Sequence, residues 1–139
     1  MRSFESDIVT INRTPEDVFI FLSDFRNFSP LMPEQVTNWQ TTGDQCSFTV
    51  AGMMNIGLRI TEKVPFQKIV MLGEGKLPFE LGMSAFISDQ AGIAEVKLVV
   101  EAALNPFTAM AVQKPLGEFV NALIHKLKEV LEKNPEATA

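Results

Sequence analysis

The chain has 139 residues, 46% apolar and 21% charged, with a formal net charge of −5. Such a composition fits one globular domain with a full-sized core. The acidic balance argues against a nucleic-acid binder and against docking to anionic lipid, and the single cysteine, Cys46, excludes intrachain disulfides and four-thiolate zinc sites.

The opening "MRSFESDIVTI" lacks the apolar run of a secretory signal. No stretch has the length and apolarity of a bilayer span. A cytoplasmic protein is expected, with "NPEATA" at 134–139 as a frayed tail. Eleven Phe and seven Met accompany no Tyr. The expected interior is therefore greasy, deformable and poor in proton donors.

"SFESDIVTIN" alternates loosely and is rich in β-branched residues, which predicts a first strand. In "RTPEDVFIFLSDF", Thr14 suits an N-cap and Pro15 the first helical position. Asp17 stands three residues after the cap, as in a capping box. Val18, Phe21, Leu22 and Phe25 recur at helical spacing. A second short helical piece is expected from Arg26 to Leu31, closed by Pro33.

From Glu34 to Leu104 the pattern is β. "QVTNWQ" and "QCSFTVA" flank the turn signal "TTGD" and predict a hairpin. "NIGLRITEKV" sets Ile56, Leu58 and Ile60 against Arg59, and "KIVMLGEG" is a further strand. "PFELGMSAFIS" aligns Phe79, Leu81, Met83, Ala85 and Ile87. "IAEVKLVVEAAL" aligns Ala94, Val96, Leu98, Val100, Ala102 and Leu104 opposite Glu95, Lys97 and Glu101. Such alternation predicts an antiparallel meander with one dry face and one wet face.

A last helix starts with Asn105 as N-cap and Pro106 at the first helical position. Counting 100° per residue from Leu116, the apolar positions up to Leu131 fall within an arc of roughly 140°. Pro115 lies inside this helix. It costs roughly 3 kcal/mol there, strands a carbonyl near Ala111 and predicts a kink. The whole is an α+β chain: a curved antiparallel sheet of about seven strands around a long C-terminal helix, with two short helices after the first strand. One domain spans 1–139.

This order resembles the helix-grip fold of the START-like, or SRPBCC, superfamily, in its polyketide-cyclase/dehydrase-like bacterial branch. The resemblance rests on "INRTPEDVFIFLSDF", "VTNWQTTGDQCSFTV", "GMMNIGLRI" and "NPFTAMAVQKPLGEFVNAL", and covers about residues 3–133. It implies a cavity between sheet and long helix that holds an apolar or amphipathic small molecule. The apolar faces supply its expected lining. From the strands these are Phe48, Val50, Leu58, Met71, Phe79 and Leu81, then Met83, Leu98 and Val100. From the helix they are Met110, Gln113 and Val120. Met32, Met53 and Met54 share the same apolar space as core filler or plastic wall.

Candidate chemistry is sparse. His125, the sole histidine, lies about 180° from Leu116 on the helical wheel and reads as a surface residue. Cys46 opens an inward-facing strand without a base beside it and reads as a buried structural thiol. Glu95, Lys97, Glu101 and Arg59 belong to the wet face. "GEGKLP" lacks the spacing of a P-loop and reads as a strand connection at the pocket rim. Arg26 and Asn27 sit where the short helices join, as a cap, a salt bridge or a head-group contact. Gln113 is the one polar group expected to face the interior. Phe86 and Val99 fall on the wet face, as a dimer patch or under a bulge.

No cofactor or metal is assigned. The first reading is noncatalytic binding or carriage of an apolar or amphipathic small molecule. The second is a cyclase, aromatase or dehydratase using Gln113, Arg26, Asn38 or a water. The third is an interaction module or homodimer built on Phe86 and Val99.

Overall fold

A computed structural model describes residues 2–52, 54–75, 77 and 79–133. The expected frayed tail and Met53 lie outside them. Strands β1 (Arg2–Glu5) and β2 (Val9–Ile11) lead to α1 (Pro15–Leu22) and a 3-10 helix (Phe25–Leu31). Then come β3 (Val36–Thr41), β4 (Gln45–Val50), β5 (Met54–Val64), β6 (Lys68–Gly73), β7 (Leu81–Gln90), β8 (Ile93–Ala102) and α2 (Pro106–Lys133).

The strands form one antiparallel sheet in the order β1-β8-β7-β6-β5-β4-β3, with β2 also pairing to β8. The expected first strand is thus two. Glu5 pairs with Val99 and Val9 with Val96, so three residues of the N-terminal strand face two of β8. Ser6 bridges this bulge. Its N–H donates to the Leu98 carbonyl at 2.8 Å, and its hydroxyl accepts from the Leu98 N–H at 2.9 Å. The hydroxyl also donates to the Asp7 carbonyl at 2.8 Å. A serine here keeps a backbone amide of β8 bonded where the strand ladder cannot.

The helix starts follow their local chemistry. Thr14 Oγ1 accepts from the Asp17 N–H at 3.1 Å. The Asp17 carboxylate does not return to the cap; it accepts from Arg13 Nε at 3.0 Å, so only half of the box forms. Asp24 caps the 3-10 helix by accepting from the Arg26 N–H. Asn105 Oδ1 caps α2 by accepting from the Thr108 N–H at 2.8 Å. α2 continues as one helix through Pro115 to Lys133.

The dry faces meet as one contiguous core. Leu116, Phe119, Val120, Leu123, Ile124, Leu127 and Leu131 of α2 are buried, as are the inward positions of β4 to β8. Phe48 of β4 stacks on Phe119 at a centroid distance of 5.6 Å. The C-terminal half of α2 is also tied to the β2–α1 connection. Glu132 accepts from the Asn12 N–H at 2.9 Å, Arg13 donates to the Leu131 carbonyl at 2.9 Å, and Lys128 donates to the Thr10 carbonyl.

Candidate functional site

The candidate lining residues divide by position. Phe48, Val50, Leu58, Met71, Leu81 and Met83 are buried on the inner sheet face, with Leu98 and Val100 beside them and Val120 opposite on α2. Phe79 precedes β7 rather than lying on it, and packs partly buried against the core. These residues pack against one another in a single cluster. Concavities open at the surface of this cluster. One groove of about 1020 Å³ runs from the α1 N-terminus past Phe66 to Phe86 and Lys97. Another of about 590 Å³ lies over Gly82, and Met71, Phe79, Leu81 and Met83 of the candidate set are among the residues that line it.

Met110 and Gln113 do not join the inner set. Met110 is 86% exposed. Gln113 is exposed too, and its Oε1 accepts from Arg2 at 2.6 Å. In the first turns of α2 only Ala109 and Val112 are buried. The apolar stripe narrows there because the neighbouring sheet edge presents Arg2 and its polar end, not an apolar surface. The interior consequently has no amide aimed into it from α2.

Polar character inside is confined to few groups. Among the described residues, Ser6 is the only buried polar or charged one, and its hydroxyl is fully used by backbone. The Cys46 thiol is buried, and burial first of all pushes its pKa up to about 12. A backbone hydrogen bond with Leu58 opposes this, and the Glu74 charge adds to it. It is a neutral thiol at physiological pH, not a nucleophile.

The remaining candidates sit outside. His125 is exposed, and its Nε2–H donates to Asp7 Oδ2 at 2.7 Å. That bond is the main cause holding the Asp7 carboxyl below its ordinary value. Arg26 is tied to Asp24 at 2.6 Å, and this hydrogen-bonded pair lowers the Asp24 carboxyl and raises the guanidinium. Asn27 Nδ2 donates to the Phe21 carbonyl, as a fastener between α1 and the 3-10 helix. Asn38 is exposed at φ +56° on β3. Arg59 lies 3.3 Å from Glu74 on the outer face, where Gln45 Nε2 also donates to Glu74 Oε1 at 2.5 Å. Sequence reasoning missed Glu74 and Ser6. No periodic pattern marks either, since one follows a strand end and the other fills a bulge.

No group of three or more His, Cys, Asp or Glu suited to a metal occurs among the described residues. No helix there is long and apolar enough to cross a membrane. The arrangement offers apolar burial inside and ordinary ion pairs outside.

No protein-family model matches the sequence, and no curated protein matches it. Solved structures do match at the level of fold. A protein from Thermus thermophilus superposes with a TM-score of 0.71 at 17% identity, over 96% of this chain and 99% of that one. A START superfamily protein from Mycobacterium smegmatis gives 0.69 at 16% identity, over 94% and 97%. The di-domain ARO/CYC protein BexL gives 0.65 at 18% identity; 98% of this chain covers 48% of that one, about one of its two domains. With its curved open sheet closed around one long C-terminal helix, the chain has the START-like helix-grip fold.

Proposed function

We propose that the protein binds an apolar or amphipathic small molecule between the inner sheet face and α2, without covalent chemistry. The observation that carries this reading is the chemical uniformity of that interface. Among the described residues every buried position facing it is apolar, apart from Ser6, whose hydroxyl is already committed. Affinity then comes from apolar burial, at about 25 cal/mol per Å². Met54, Met71 and Met83 supply unbranched side chains that re-pack around different shapes.

The wall proposed to open is the first part of α2. Residues 106–114 bury only Ala109 and Val112, whereas the section after Pro115 buries seven side chains. Pro115 removes a helix hydrogen bond. Gly117 adds a second weak point, since glycine is a poor helix former, and no close packing requires it there, because a Cβ at that position would meet nothing within 4 Å. A free, buried Cys46 suits a reducing compartment, so the proposed location is the cytoplasm.

The test is titration with parinaric acid, a fluorescent polyene chain with one carboxylate. Saturable binding of one probe per chain is expected, with a rise in Tm. At a hundredfold excess over Kd the stabilisation is about 2.7 kcal/mol. Met83→Gln places an amide in the apolar wall and weakens binding at nearly constant side-chain volume. Non-saturable uptake, or binding without a Tm rise, overturns the reading.

A further inference from the structure

The outer face of β6, β7 and β8 carries a regular block of side chains. Cross-strand pairing sets Leu72, Gly82 and Glu101 in one row, and Val70, Ser84 and Val99 in the next. Lys68, Phe86 and Lys97 form the third. Both outer rows border a concavity, the groove described above in one case and a smaller hollow in the other. Phe86 stands 42% exposed in one. Gly82, in the other, floors the depression of about 590 Å³ walled by Leu72, Leu77, Phe79 and Glu101. The two outer rows are complementary in charge. Lys97 ends one row and Glu101 the other, and Glu101 has no hydrogen-bond or ion-pair partner among the described residues.

An exposed ring and a hollow on one face, four residues apart along one strand, fit a second copy of the same face turned around. A twofold axis between two such faces, running across the strands at Ser84, reverses the order of the rows. It sets each Phe86 over the partner's Gly82 and each Lys97 against the partner's Glu101. The Lys68 stem covers the partner's Leu72. Val70, Ser84 and Val99 meet their own counterparts. Such an interface is isologous and closes at two copies. Glu5 and Glu62 flank the axis row and meet their own counterparts too; each has a lysine of its own chain close by, Lys97 at 2.6 Å and Lys68 at 3.9 Å, so Lys97 lies between Glu5 and the partner's Glu101.

We propose that the chain forms a twofold homodimer through the outer face of β6, β7 and β8, with Phe86 of each copy seated over Gly82 of the other. The interface is independent of what the interior holds, because the outward side chains of these strands alternate with the inward ones.

The test is sedimentation equilibrium over a wide concentration range. The expected result is a monomer–dimer equilibrium. Phe86→Ala raises the dimer dissociation constant at least about tenfold, as for a central aromatic anchor. Gly82→Leu fills the hollow and does the same. A Cβ at Gly82 comes within 3.3 Å only of the flexible end of Leu72, so circular dichroism of this variant stays native. Lys97→Glu and Glu101→Lys each weaken the dimer, and the double variant, which re-forms the pair with signs exchanged, restores it in part, because Lys97→Glu also loses the pair with Glu5. A monomer at every concentration overturns the proposal. So does a dimer indifferent to both Phe86→Ala and Gly82→Leu, or a monomer whose outer hollow takes up parinaric acid and loses it in Gly82→Leu.

Discussion

The rings of Phe48 and Phe119 stack at 5.6 Å between centroids and 20° between planes, and they join the far strands of the sheet to the middle of α2. Trp39 extends the same run, 5.7 Å from Phe48 and 6.4 Å from Phe25. Truncation at Phe119 therefore removes apolar burial and a ring contact together. Phe119→Ala is expected to cost about 3–5 kcal/mol in urea denaturation. A cycle with Phe48→Leu should return a coupling of roughly 0.5–1.5 kcal/mol. Additive effects in that cycle contradict the stacked geometry.

Ser6 offers a sharper test of the bulge. Its hydroxyl is the acceptor for the Leu98 amide inside the sheet. Ser6→Ala leaves that N–H buried and unbonded, at about 1–3 kcal/mol. Amide exchange at Leu98 should accelerate more than at Val96, whose strand pairing is untouched. Ser6→Gly gives a similar loss, which separates the missing oxygen from the methyl group added in its place.

At the midpoint of α2, Gly117→Ala is expected to stabilise by about 1 kcal/mol, because nothing within 4 Å opposes the added methyl. Pro115→Ala should stabilise by up to roughly 3 kcal/mol through the recovered hydrogen bond. If the first turns of α2 open to admit ligand, both variants take up parinaric acid more slowly in stopped flow. Faster or unchanged uptake removes Pro115 and Gly117 from the proposed route.

The Asp7–His125 pair gives a pH dependence of known sign. The Asp7 carboxyl is held below its ordinary value of 3.8, chiefly by the hydrogen bond from His125. A depressed carboxylate stabilises the fold above its unfolded value, and that contribution is lost as pH falls through the folded value. The Tm of Asp7→Asn should therefore lie below that of the parent at neutral pH, and the two should converge in strong acid. A gap that persists under acid means that the effect does not come from the Asp7 charge; the Asp7 N–H bond to Asn121 Oδ1, at 2.9 Å, is backbone and survives the substitution.

Cys46, with its pKa near 12, should resist a water-soluble disulfide reagent in the native state. Its modification is expected to track unfolding in denaturant. Fast labelling of the folded protein requires an opening of β4 and β5 that the buried position does not provide.

Much of the fold is legible in the sequence because each long element has a single periodicity. β7 and β8 alternate without interruption, and Leu116 to Leu131 keep one helical stripe. The helix starts at Thr14 and Asn105 are legible from capping chemistry alone. What escapes is set by partners far along the chain. Gln113 lies within the stripe's angular range, yet it is exposed because the cover over that end of α2 is narrow and ends in Arg2. Met110 is expected inside from its chemistry rather than its angle, and the angle is the better guide. The bulge at Ser6 depends on the register of β1 and β2 against β8, which no local pattern encodes. The candidate site was legible as an apolar surface and as little more, since a wall without functional groups carries no motif.

The chain's first strands flank its last one. Ser6 bonds to Leu98, 92 positions away, and Asn12 bonds to Glu132, 120 positions away. During synthesis the N-terminal strands therefore have no sheet to join until β8 has left the ribosome, and the anchor of α2 follows later still. Contacts of this range favour slow, late closure in which the first two strands and α2 are fastened nearly together. A nascent chain stopped before residue 93 should remain sensitive to protease across β1 and β2, which have no strand to pair with.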